Sequence, residues 1–180
     1  QHGRRGANMQ TLRVDHPDIE KFIEIKTGDV DMVKYSNISV LLTDDFMDAV
    51  QSDSDFDLHW GGKTYTTVKA KDLWMKIIEH AHASAEPGLL FWDTMTKYHN
   101  AEYCSPLVST NPCAEQPLPD GGCCNLGALN LERFVDQDGN FDFDGFKETT
   151  AIGARFLDNV IDYNLDRHAL EEQKQNAMND

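Results

Sequence analysis

The chain has 180 residues, with 16 Lys and Arg against 31 Asp and Glu, for a formal net charge of −15 at neutral pH. With 40% apolar residues and three Trp it can bury a core, which excludes wholesale disorder, and its acidic excess excludes a duplex nucleic-acid binder built on counterion release. No apolar run approaches the ~18 residues of a membrane span.

The opening Gln1-His2-Gly3-Arg4-Arg5-Gly6 has no apolar stretch after its charges, so no signal peptide is expected, and the missing initiator Met suggests an internal piece of a longer chain. Residues 10–14 alternate and read as a strand. His16-Pro17-Asp18 opens a helix with Ile19, Phe22 and Ile23 in one stripe, ended by Gly28. Residues 37–42 form a β-branched strand, and Thr43 is a candidate N-cap for a helix carrying Phe46, Met47 and Val50. Residues 56–60 and 63–68, joined by Gly61-Gly62, read as a hairpin. Leu73, Trp74, Ile77, Ile78, Ala81 and Ala85 recur at helical spacing up to Pro87-Gly88. Residues 107–110 and 125–131 are expected to be extended around a turn-rich loop. Asp138-Gly139 marks a hairpin turn, and Asp142 caps a long helix with Phe146, Phe156, Leu157, Val160 and Ile161 facing inward. Strands alternating with helices predict an α/β arrangement.

Four cysteines, at 104, 113, 123 and 124, include no C-x-x-C and are too few for a disulfide scaffold. A reducing, cytoplasmic compartment is therefore expected. Cys104 and Cys123 read as packed core thiols. No metal site is expected: His80 and His82 are two apart on a helix and face different ways. The calcium-like run from Asp136 has Lys147 where the last carboxylate ligand belongs.

The informative stretch is Asn111-Pro112-Cys113-Ala114-Glu115-Gln116-Pro117-Leu118-Pro119. Asn111, Cys113 and Glu115 stand at i, i+2 and i+4, a spacing that puts them on one face if the segment is extended. Prolines forbid a helix there and suit a rigid loop. An amide, a thiol and a carboxylate on one side can bind vicinal hydroxyls, remove a proton and do sulfur chemistry on a small substrate. Taken singly, the bland readings win: a structural thiol, a solvated carboxylate, a turn residue before proline. Cys124, eleven residues after Cys113, returns toward it if the loop closes as a hairpin, and only one of the adjacent Cys123 and Cys124 should face a common site. Arg4-Arg5, between glycines, is either a phosphate cradle or a frayed tail.

As a string, these motifs resemble the catalytic large subunit of ribonucleotide reductases. The Asn-Pro-Cys-Ala-Glu-Gln-Pro-Leu-Pro run and the following Cys124-Asn125-Leu126-Gly127-Ala128-Leu129-Asn130-Leu131 are similar to that family's finger loop and adjoining strand, which the resemblance places over 105–131. Gly3-Arg4-Arg5-Gly6-Ala7-Asn8-Met9, then Leu12-Arg13-Val14-Asp15-His16-Pro17-Asp18-Ile19, resemble the substrate-specificity loop and the strand and helix after it, with the loop and strand over residues 1–15. The wording is nearest the adenosylcobalamin-dependent class. The resemblance implies that residues 1–180 are one fragment of a ten-stranded α/β barrel with a Pro-rich finger loop. It implies that Cys113 becomes the thiyl radical, Glu115 the general base, Asn111 the ribose-holding amide and Cys124 one of two reducing thiols. Arg4, Arg5 and Gly6 belong to the effector-sensing loop. It further implies a ribonucleoside di- or triphosphate substrate, a nucleotide effector, a thioredoxin- or glutaredoxin-type reductant, a homodimeric parent, and no turnover by the fragment alone. Other readings are a reductase relying on a metal-containing, radical-generating partner subunit, a non-catalytic nucleotide-binding module, and a thiol metal-binding protein.

Overall fold

The computed structural model describes residues 6–27, 33, 35–167, 171, 174, 175 and 178. The chain divides into two compact units, Gln1–Asp120 and Gly121–Asp180. Arg4, Arg5 and Gly28 lie outside the described residues.

The first unit is mixed α/β, as the alternation of patterns predicts. Three strands, β1 (Asn8–Arg13), β2 (Ser36–Leu42) and β5 (Gly88–Phe91), make a parallel sheet in the order β1-β2-β5. The described strands do not close into a barrel. Parallel strands need covered crossovers, and helices supply them: α1 (Ile19–Glu24) after β1, and α2 (Asp44–Gln51) and α3 (Ala70–Ser84) between β2 and β5. One face of β2, with Ile38, Val40 and Leu42, is buried, and Val40 and Leu42 join Val14, Ile19, Ile23, Phe46, Leu58, Leu73 and Ile77 in one core. Gly88 is required where β5 meets β2, because a Cβ there would stand 2.6 Å from Ser39 Oγ. The Glu86 carboxylate accepts from Ile38 N at 3.0 Å and pairs with Lys26, which fastens the α3–β5 connection to β2.

Several sequence expectations hold. Thr43 caps α2, its hydroxyl accepting from Phe46 N at 3.2 Å. The antiparallel hairpin of β3 (Asp55–Trp60) and β4 (Lys63–Lys69) turns at Gly61 and Gly62, with φ of 57° and 76°. A two-residue turn that matches strand twist needs positive φ at both positions, so glycine is the natural choice. Other boundaries shift. α1 stops at Glu24, before Gly28, and α3 stops at a left-handed Ala85 before Pro87 is reached. A short helix, α4 (Trp92–Tyr98), follows β5 directly and is not signalled by periodicity.

In the second unit, residues 122–130 form no hydrogen-bonded strand, although 125–131 read as extended, and Leu131–Phe134 is a single 3-10 turn. The Asp138-Gly139 turn is present, with Gly139 at φ 84° and an isolated bridge between Val135 and Phe141. Asp142 caps the long helix α5 (Phe143–Asn164) by accepting from Gly145 N at 2.9 Å. The inward face expected for α5 is not buried. Phe156 is 66% exposed and Ile161 41%, and no residue of the helix is buried. Phe146 does pack, edge-on to Phe134 and Phe141.

Candidate active site

The proline-rich run folds as a hairpin. β6 (Leu107–Thr110) pairs antiparallel with β7 (Pro117–Pro119), Thr110 facing Pro117, and residues 111–116 form the connecting loop. The prolines sit where the ladder tolerates them. Pro117 and Pro119 occupy a three-residue strand that needs few N–H donors, and Pro112 lies in the loop.

The loop geometry departs from the extended picture. Asn111 N donates to Gln116 O at 3.0 Å, Ala114 N donates to Asn111 O at 3.0 Å, and Ala114 adopts φ 68°. A left-handed residue between Cys113 and Glu115 breaks strict alternation, so the i, i+2, i+4 spacing is not what places the three side chains. Asn111 closes the loop from inside. Its Oδ1 accepts from Gln116 N at 3.0 Å, which fixes the amide orientation. Cys113 is a free, exposed thiol in the loop, and Glu115 is also exposed.

Three anchors seat this hairpin on the sheet. Leu107 joins Leu41, Leu90 and Trp92 in a small second core, against which Ala114 packs. Thr11 and Ser109 hydroxyls lie 3.3 Å apart, linking β1 to β6. The Asn37 side-chain amide donates to the carbonyl of Pro112, the residue before Cys113. The sequence places Asn37 at the start of a strand but gives its amide no role beside this loop. Its one visible signal is an amide in a strand otherwise made of Ser, Ile, Val and Leu.

Register places the loop at one end of the sheet. Asn37 is the second residue of β2 and pairs with Met9, while Asn8 pairs with Ser36. The loop carrying Cys113 is therefore tied to the amino ends of β1 and β2, where Gly6 leads into β1. A cleft of about 800 Å³ opens at the other end: Arg13 ends β1, Thr43 follows β2 and Asp93 lies just past β5. It is lined by Asp15, Asp45, Asp57 and His59 as well, and Cys113 does not border it. Asp15 is buried there and held by Arg13 at 2.6 Å; that hydrogen bond raises the Arg13 pKa, with burial opposing it.

Cys124 lies in the second unit, free and exposed, next to Asn125, whose Nδ2 donates to Leu157 O of α5 at 2.9 Å. Cys104 and Cys123 are exposed too, not packed as expected. Cys104 falls in the turns before β6, where Leu107 takes the buried place, and Cys123 sits in an irregular segment. Among the described residues no cluster of His, Cys, Asp or Glu gathers to hold a metal. The Asp136 carboxylate that heads the calcium-like run is spent on its own turn, accepting from the amides of Asp138 and Asn140 at 2.9 and 2.8 Å. No helix of the described residues is long and apolar enough to cross a membrane.

A parallel α/β sheet with a cysteine-bearing, proline-stiffened hairpin seated on it defines a thiol-presenting α/β domain. Residues 1–180 match the ribonucleotide reductase barrel domain throughout, and the chain belongs to that family. It is 42% identical over 163 residues to a vitamin B12-dependent ribonucleoside-diphosphate reductase of Thermoplasma acidophilum, covering 89% of this chain and 21% of that protein. A reductase of the same description from Mycobacterium tuberculosis is 38% identical over 164 residues, 88% of this chain and 23% of the relative. A vitamin B12-dependent ribonucleotide reductase of Rhodopirellula baltica is 34% identical over 170 residues, 80% of this chain and 16% of the relative. The chain thus spans about a fifth of the length of the relatives it matches.

Proposed function

We propose that this chain is the part of a ribonucleotide reductase that presents the hydrogen-abstracting thiol, and that its parent reduces ribonucleotides to deoxyribonucleotides. The observation that carries the reading is the free thiol of Cys113 in a hairpin loop seated on a parallel sheet, in a chain that belongs to this family along its whole length. In the parent the sheet forms part of a ten-stranded α/β barrel and the hairpin is its finger loop. The parent is cytoplasmic and homodimeric.

In this reading Cys113, as a thiyl radical, takes the 3′-hydrogen of the ribose. Glu115 takes the proton of the 3′-hydroxyl as general base. Asn111, its oxygen committed to Gln116 N, offers its NH2 to the sugar hydroxyls. The 2′-hydroxyl leaves as water on taking a proton. Cys124 and a second thiol of the parent supply the two protons and two electrons and close to a disulfide, and Cys113 returns its hydrogen to C3′, which regenerates the thiyl. A thioredoxin- or glutaredoxin-type dithiol then restores both thiols. Arg4, Arg5 and Gly6 belong to the loop that reports the base of a bound effector nucleotide. Of the three, Gly6 is the described residue, and its entry into β1 at the end of the sheet where Asn37 meets Pro112 supports this reading.

Adenosylcobalamin, when bound, supplies the homolytic chemistry that makes a thiyl radical, which no side chain here can do unaided. The fit to this chain is at Cys113 alone, a free thiol open to an external radical source. Neither of the clefts flanking Arg13 borders it, and no residue here is assigned to hold the corrin. The names of the relatives support cobalamin over a metal-containing partner subunit.

Substitution in the full-length parent tests the reading. Cys113→Ser is expected to abolish deoxyribonucleotide formation, and Glu115→Gln to slow it by about 10²–10⁴-fold, the usual worth of a general base. Cys124→Ser should stop turnover with the physiological dithiol. Full activity in the Cys113 variant would overturn the proposal.

A further inference from the structure

We propose that Asn37 is a positioning residue for Cys113: its side-chain amide, donating to the Pro112 carbonyl, holds the loop at the place where the thiol must act. The inference rests on the reading of Cys113 as the hydrogen-abstracting thiol.

The loop needs such a hold. Ala114 sits at φ 68°, a conformation that an L-residue keeps only where its surroundings over-determine it. The backbone bonds of the loop join Asn111, Ala114 and Gln116, and none of them reaches the Pro112 carbonyl. That carbonyl directly precedes the thiol-bearing residue. Asn37 supplies the donor from outside the loop, 75 residues away in sequence, on a strand fixed by neighbours on both sides. The same face of β2 carries Leu41, which packs with Leu107 of the hairpin, so Asn37 and Leu41 grip it at two levels. Asn is a poor strand residue, and Ile38, Val40 and Leu42 on the other face do the packing. Its worth here is its N–H. Hydrogen abstraction requires the reacting atoms within about 3–3.5 Å, and a displacement near 1 Å costs on the order of 10²-fold in rate.

The test uses the full-length parent with two readouts: steady-state kinetics, and hydrogen exchange of the amides in residues 111–119. Asn37→Asp keeps the shape and removes the donor. It is expected to lower kcat at least tenfold with KM within twofold, and to speed exchange at Ala114 and Gln116 while the amides of β1 and β2 keep their protection. Asn37→Gln retains a donor and should recover most of both properties. If the Asp variant does not fold, Asn37→Ser, uncharged and too short to reach, decides by the same measurements. Unchanged kcat and loop exchange would overturn the proposal, and so would a rise in KM alone or a loss of protection spread over the whole first unit. A parent whose Cys113→Ser variant stays active loses the underlying reading instead. One that is dead on Cys113→Ser but normal on Asn37→Asp loses only the role of Asn37.

Discussion

Asp136 illustrates how a single carboxylate organises a turn. It accepts from the backbone and side-chain amides of Asn140 and from the amide of Asp138. These bonds, those from Asn140 foremost, hold its pKa below the ordinary carboxylate value. A folded-state pKa below the unfolded one means that the ionised form stabilises the turn. That contribution is complete above the unfolded value of about 3.9 and is lost as the pH falls through the lower, folded value. A proton titration of the Asn140 amide resonance should accordingly show a midpoint under that of an unfolded Asp. In Asp136→Asn the Asn140 amide should no longer follow that titration, and it should exchange faster at neutral pH. A midpoint at or above the unfolded value would contradict the assignment.

The elements of the first unit follow from local chemistry acting with packing, and α2 separates the two. Thr43 satisfies an amide at its start, and Phe46, fully buried and edge-on to Phe56 at 5.1 Å, fixes it to the core. Thr43→Ala should cost about 1 kcal/mol, and Phe46→Ala about 3–5 kcal/mol through lost transfer energy and a cavity. Urea unfolding followed by tryptophan fluorescence checks both, and equal losses would mean that the cap and the core are not separable. The same distinction explains what could be read beforehand. Thr43, Gly61-Gly62, Asp138-Gly139 and Asp142 announce themselves because caps and turns are local. The helix α4 has no such signal, since its seven residues follow β5 directly and only Trp92 is buried. The segment from Asn111 to Glu115 was legible as a chemical set but not as a shape. Proline excludes a helix, yet the left-handed Ala114 and the inward hydrogen bond of Asn111 depend on how the hairpin closes. Asn37 was invisible as a partner of that loop because the bond joins residues 75 apart.

At the scale of the molecule the two units differ in how they are held. Every buried residue among those described lies in Gln1–Asp120, including Phe46, Ile77 and Leu58. The second unit has its turn, an aromatic cluster around Phe134, Phe141 and Phe146, and a 22-residue helix without one buried side chain. Helix formation has a costly nucleus, and an isolated helix draws most of its stability from an apolar face that is covered. Phe143 and Phe156 leave 75% and 66% of their surfaces to solvent, so α5 lacks that support within the described chain. Buried, densely packed elements open only with the free energy of global unfolding, whereas solvent-exposed ones open locally. Hydrogen exchange of the 180-residue chain should therefore find the amides of β2 and α3 exchanging slowest and those of α5 faster by at least an order of magnitude. If the rest of the full-length parent covers that face, the α5 amides should slow there toward those of β2. If α5 were as protected in the 180 residues as in the parent, the helix would be stable without cover, and its exposed phenylalanines would need another explanation.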